Sequence, residues 1–290
     1  LINGSIDYTQ SFGILTTGLY VIFAMVLPYV FAFYVLLSFL EDTGYLPRLS
    51  VLLDRFMHFL GLHGASVIPM MLGLGCNVPG IIATRIMETK KEKVILAVLI
   101  AISVPCAAKT AMIAGLVGQH GVLALITVFG TLFVIWLSLG TILKRFIKGE
   151  SPEIFLEIPP YRFPYFGSLV KKIWMRTKGF LAEAIPFVLL GILVANILYS
   201  LNIITFLSKI LSPVFKVLFD LPAEAVAALV VGFLRKDIAV GMLAPLNLSL
   251  KQIIVASVML STYLPCIGTF TIIIKELGVK TIFFVIAAML

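Results

Sequence analysis

Apolar runs as long as a bilayer is thick follow one another along almost the whole chain. They fall at roughly 16–40, 65–87, 94–118, 121–143, 180–200, 222–246, 252–274 and from 279 onward, against the ~20 residues a helix needs to cross a hydrocarbon core. Inside lipid the backbone must find its hydrogen-bond partners within the protein, so such runs form helices. Only 12% of the 290 residues are charged, about half the share in soluble domains, which leaves little to face water. The pattern predicts an all-α integral membrane protein with about eight transmembrane segments, whose first partner is the lipid bilayer.

The connecting stretches add detail. In EDTGYLPRLSVLLDRFMHFLGLHG (41–64), Leu49, Leu52, Leu53, Phe56 and Leu60 recur at helical spacing with Arg48, Asp54, Arg55 and His58 between them. That is the pattern of an amphipathic helix lying at the interface. A similar piece, ITFLSKILSPVFKVLFD, precedes the sixth block. The polar, Pro-rich stretch 148–178 is the one candidate boundary, giving a first repeat (1–147), a cytoplasmic linker (148–178) and a second repeat (179–290) truncated at its C-terminus.

Arg85, Lys90, Lys91 and Lys93 follow the second block, and Lys144, Arg145, Lys148, Arg162, Lys171, Lys172, Arg176 and Lys178 follow the fourth, whereas the loop 118–121 has no Lys or Arg. By the positive-inside bias the two basic loops are cytoplasmic. Counting each block as one crossing then puts the N-terminus inside and Glu41 and Asp42 outside. The net charge of +8 is spread over these loops and not gathered on one face, so no nucleic-acid partner is expected.

The halves repeat. A slide of roughly 160 residues sets GLHGASVIPMMLGLGCNVPG over DLPAEAVAALVVGFLRKDIA, and Val104-Pro105-Cys106 over Leu264-Pro265-Cys266. Transporters are often built from such repeats, with sites where broken helices meet. Halves whose elements all cross are parallel, and one re-entrant element in each makes them inverted; the sequence leaves this open.

Helix breakers and polar groups are expensive within a membrane unless they line a cavity or have partners, so their positions mark candidate sites. Gly73 to Gly80 contains three glycines, Pro79, Cys76 and Asn77. Gly costs about 1 and Pro about 3 kcal/mol in a helix interior. The segment is therefore either unwound, with carbonyls, thiol and amide exposed to a path, or a place of close helix packing through small residues. Pro105-Cys106 and Pro265-Cys266 each join a freed carbonyl to a thiol that can act as a soft ligand, the bland alternative being a buried Cys serving as a small hydrophobe. Lys109 shares a helix face with Cys106 and is expected to act on its thiol or to hold off cations. Arg235-Lys236-Asp237 lies opposite Cys76-Asn77 in the repeat and serves either internal ion pairing or substrate contact. Glu41 and Asp42 are either a cation uptake site or part of a solvated loop beside Arg48. The candidate metal ligands are thus Cys76, Cys106, Cys266, Asn77, Glu41, Asp42 and Asp237.

Other chemistry is not indicated. The three cysteines lie far apart in apolar surroundings, unlike a disulfide framework. There is no Gly-x-x-x-x-Gly-Lys-Ser/Thr phosphate loop, no His-Glu-x-x-His and no paired-cysteine zinc spacing, so the expectation is a transporter and not an enzyme, with no cofactor held by this chain. His58, His63 and His120 fall near block ends or in loops and receive no role. The chain opens at Leu1 without Met and stops at Leu290 within an apolar run, which reads as a piece of a longer protein.

LEDTGYLPRLSVLLDR (40–55), GLHGASVIPMMLGLGCNVPGIIATRIME (61–88), VPCAAKT (104–110), EIPPYRFP (157–164), GFLRKDIAVGML (232–243) and YLPCIGT (263–269) together resemble the membrane domain of the FeoB ferrous-iron transporters, in that family's order and over nearly the whole chain. The resemblance implies two Gate-type repeats in the cytoplasmic (inner) membrane, Fe²⁺ as substrate, and a cytosolic GTP-binding domain on the same full-length chain or a separate subunit, with a homo-oligomer as a compatible assembly. It also implies that Cys76, Cys106 and Cys266 lie on the iron path. Ala107 and Lys109 depart from the family's more usual Cys-Ser-Ala-Arg. The expected route runs from Glu41 and Asp42 to Cys76 and Asn77 and then between Cys106 and Cys266, gated by the nucleotide domain. Two other classes remain compatible: a Gate-domain carrier of a nucleoside or other small polar solute, and a non-transporting membrane scaffold.

Overall fold

The computed structural model describes residues 27–147, 164–200, 215, 222–234, 236–246, 248–263, 265–278 and 285, with some helix side chains also outside the description. Most of the second amphipathic piece, Arg235 and most of the block from 279 therefore lie outside the described residues. The regular elements described are all helices. In the first half these are α1 (Leu27–Asp42), α2 (Tyr45–Phe59), α3 (Val67–Gly75), α4 (Asn77–Ala83), α5 (Lys90–Ile102), α6 (Ala107–Val117) and α7 (Val122–Phe146). Then come α8 (Phe166–Ser200), α9 (Ala223–Leu234), α10 (Lys236–Leu243), α11 (Leu250–Thr262) and α12 (Ile267–Leu277).

Among the described residues, two stretches are long and apolar enough to cross a membrane: Lys90–His120, which contains α5 and α6, and Val122–Phe146. On α7, Leu123, Ile126, Phe133 and Val134 are exposed, as expected of a lipid-facing side. Residues Ile95 to Ile102 of α5 are all buried, so this apolar stretch is covered by protein on every side, where α7 leaves one side to lipid. Gly44 and Gly61, with φ of 76° and 75°, bracket α2 in the left-handed region that glycine adopts without a Cβ penalty. The helical segment beginning at Gly64 meets α2 at 106°, so the two do not continue as one straight helix.

The block 65–87 is not one crossing. α3 and α4 fold back on each other so tightly that a Cβ on Gly80 would stand 2.8 Å from the Gly73 Cα and 3.0 Å from the Pro69 carbonyl oxygen. The two ends of this hairpin return to one place: His63, before α3, lies 3.1 Å from Glu92 in the first turn of α5. The block 222–246 is divided in the same way into α9 and α10, which pack on each other.

Each half thus contains a re-entrant hairpin and a broken helix, α5–α6 or α11–α12. The broken helices run in opposite directions. Arg85 pairs with Glu276 at one end, while Gly115, His120, Leu243, Leu248 and Ile253 share a pocket at the other. The halves are therefore inverted, and they exchange parts. Met112, Ile113 and Leu116 of α6 pack in the core built with Leu229 and Leu260, whereas Ile272 and Ile273 of α12 join the core around α5. The repeat also extends to the caps. Thr89 Oγ1 accepts from the Glu92 N–H at 3.2 Å, and Ser249 Oγ from the Gln252 N–H at 3.4 Å, each at the N-terminus of the first part of its broken helix.

The hairpin corrects the expected topology. Lys172 Nζ donates to Asp42 Oδ1 at 2.5 Å and Arg176 Nη2 to Glu41 Oε2 at 2.8 Å, so Glu41 and Asp42 lie on the face of the basic loops and not on the opposite one. Counting 65–87 as a crossing, when both its ends lie on one face, inverted everything before it.

Candidate functional site

The three cysteines occupy one kind of position. Each is the extended residue before a helix: Cys76 (φ −148°, ψ 133°) before α4, Cys106 (φ −70°, ψ 169°) before α6 and Cys266 (φ −60°, ψ 157°) before α12. Proline accounts for two of the three breaks, since Pro105 and Pro265 lack the N–H and crowd the preceding turn. At Cys76 the chain reverses, with glycines at 73 and 80 permitting the approach. The segments that follow begin with N–H groups that have no partner within their own helix, the positive ends of their helices, and at α4 the Val78 N–H faces the Cys76 sulfur.

All three cysteines are free and partly buried, and Cys106 and Cys266 lie within electrostatic reach of Cys76. The second half touches the first here: a Cβ on Gly268 would be 3.6 Å from Val78 Cγ2. The three thiols do not all fall within 4.8 Å of one another, so they do not form a single closed cage. Asn77 is 4% exposed and its Oδ1 has no hydrogen-bond partner, an available oxygen beside the Cys76 turn. Cys266 Sγ stands 3.1 Å from Thr269 Oγ1.

Two lysines close the breaks. Lys109 Nζ donates to the carbonyl oxygens of Ala101, Ile102 and Val104 at 3.1, 3.3 and 3.4 Å. Lys236 Nζ donates to the Leu260 carbonyl oxygen at 2.6 Å. Ala101, Ile102 and Leu260 belong to the last turns of α5 and α11 and Val104 to the break that follows α5, where the broken helices leave carbonyls without an intrahelical donor. Lys109 thus binds backbone as well as sharing the neighbourhood of Cys106, and both lysines lie within electrostatic reach of Cys106 and Cys266. Their backbone roles were not legible in sequence; the available signal for Lys109 was its place one turn beyond a Pro-Cys break.

Two other expected ligands, Glu41 and Asp42, are held by basic side chains, Lys172 and Arg176, on the basic face. Asp237 is in α10, with its side chain outside the description, and Arg235 lies outside it altogether. A cluster of Asp54, His58 and His63 was not foreseen as a site.

A family model described as nucleoside recognition (Gate) matches residues 23–120 and 181–280. One described as ferrous iron transport protein B C terminus matches the intervening 125–176. The Fe(2+) transporter FeoB of Salmonella typhimurium is 32% identical over 237 residues, covering 74% of this chain and 30% of the relative. The Fe(2+) transporter FeoB of Escherichia coli strain K12 gives the same identity and coverage. The chain thus spans about 30% of the length of these curated relatives. No solved structure matches it.

Proposed function

Because the chain belongs to the Gate family and is the membrane portion of a FeoB-type protein, we propose that it forms the path by which ferrous iron crosses the cytoplasmic membrane. The observation that carries this reading is the recurrence of a cysteine at each of three helix breaks that come together between the interlocked halves. Fe²⁺ accepts thiolate as well as oxygen, while Mg²⁺ and Ca²⁺ favour oxygen alone. Separate positions also suit transit, since a conducted ion must bind weakly enough to leave.

In this reading Cys106 and Cys266 pass the ion between the broken helices, and Cys76 with Asn77 Oδ1 receives it at the hairpin turn. Asp237 contributes from α10, and Glu41 and Asp42 belong to the cytoplasmic mouth. Rocking of one half against the other opens the path, under control of the cytosolic GTP-binding domain that the resemblance implies. A small polar solute such as a nucleoside is the second reading, favoured by the buried free acceptor of Asn77.

Anaerobic Fe²⁺ binding to the purified chain tests the choice, comparing wild type with the triple variant Cys76→Ser, Cys106→Ser, Cys266→Ser. The iron reading expects saturable binding at the path that the variant loses. Equal binding in both removes the thiol path and favours the solute carrier.

A further inference from the structure

Apart from the thiols, the described residues hold another convergence of ligating side chains, where α2 meets the base of the α3–α4 hairpin and the first turn of α5. Asp54, His58 and His63 each present a ligand atom, and these atoms all lie within 4.8 Å of one another. The geometry points to a second cation site here, for a divalent first-row transition metal, built by Asp54, His58 and His63 with Glu92 behind His63.

Helix geometry puts Asp54 and His58, four residues apart, on one face of α2. The Gly64 N–H donates to Asp54 Oδ1 at 2.7 Å, which fixes the carboxylate and leaves Oδ2, 3.4 Å from His58 Nδ1. The His58 and His63 rings approach edge to face, with centroids 4.7 Å apart, and His58 Nδ1 also lies 3.0 Å from the Asp54 carbonyl oxygen, a contact that a cation at Nδ1 would displace. Lys144, the nearby cation, turns onto the His58 carbonyl oxygen at 2.8 Å and not into the cluster.

The second observation lies behind the ring. His63 and Glu92 are 2% and 0% exposed, and His63 Nε2 faces Glu92 Oε1 at 3.1 Å, yet neither atom makes a well-directed hydrogen bond. Thr89 occupies the other Glu92 oxygen. A buried carboxylate behind an imidazole is the arrangement that orients a metal-bound histidine and fixes which nitrogen is free; here Nδ1 is left for the cation. Two imidazoles and one carboxylate suit Fe²⁺, Co²⁺ or Zn²⁺ better than Mg²⁺ or Ca²⁺. Asp54 and His58 are about half exposed, so an ion reaches them from the face of the basic loops. Once bound, it ties α2 to the base of the hairpin whose turn carries Cys76. The site uses no thiol, so it stands whether or not iron follows the cysteines.

The test uses the triple Cys→Ser chain titrated with Co²⁺, whose d–d absorption reports its ligands. The expected result is one saturable Co²⁺ per chain with a nitrogen–oxygen spectrum, displaced by Zn²⁺. Adding His58→Gln or Asp54→Asn, both at exposed positions, weakens it about ten-fold or more. Unchanged Co²⁺ affinity in both variants overturns the site, as does a triple variant that is folded by circular dichroism and binds no Co²⁺.

Discussion

At the first helix break Lys109, one turn beyond Cys106, reaches back to three carbonyls at and just beyond the end of α5. At the second the matching position holds Thr269, which contacts Cys266 instead, and the Leu260 carbonyl is bound by Lys236 from the hairpin turn of the same half. Both breaks meet one physical demand, that carbonyls released inside a membrane be bound, but they meet it from different elements. The hairpin turns differ correspondingly: Cys76 and Asn77 in one half, Lys236 in the other. Duplication preserved the backbone breaks and the need to bind them, and left the side chains at the turns free to diverge, so that the first half supplies two thiols and the second supplies one.

The largest expected effect breaks this comparison at its charged side. Lys109→Met leaves three carbonyls without their donor and is expected to destabilise the chain by about 3 kcal/mol, while Lys236→Met, losing one, is expected to cost about 1 kcal/mol. Thermal unfolding in detergent checks the order, and equal losses contradict the asymmetry. Next comes the closeness of the hairpins. A Cβ at Gly80 meets Gly73 backbone, whereas one at Gly232 meets the side chains of Leu260 and Ala239, at 2.5 and 3.2 Å. Gly80→Ala is therefore expected to cost about 2 kcal/mol and Gly232→Ala about 1 kcal/mol. The Leu260 side chain can turn aside and the Ala239 methyl need give only a few tenths of an ångström, whereas the backbone at Gly73 cannot yield so cheaply. The same unfolding measurement ranks the two. The smallest effect is at the basic face, where Lys172→Ala removes a partly exposed contact to Asp42 and Glu41. It is expected to cost less than about 1 kcal/mol and to vanish at high salt, read as a melting-temperature difference between wild type and variant at low and high ionic strength.

The all-α membrane character and the breaks at Cys76, Cys106 and Cys266 were legible because apolar length and proline act locally. The folding-back of 65–87 was not, since an apolar stretch of that length has the same composition whether it crosses or returns; Gly73 and Gly80 were the clue, and both readings of small residues were open. That single miscount displaced Glu41 and Asp42 to the wrong face. Within the expected linker 148–178, α8 begins at Phe166. Asp54 and His58 stand at visible helical spacing, but His63 joins them only through the turn at Gly61, and Glu92 only through the return of the hairpin.

The central claim is that the cysteines at the breaks contact iron. X-ray absorption at the iron edge, on the chain loaded anaerobically with Fe²⁺, addresses it directly. The account predicts sulfur in the iron's first shell, lost when Cys76, Cys106 and Cys266 are replaced by serine. A shell of oxygen and nitrogen alone in the wild-type chain would contradict it.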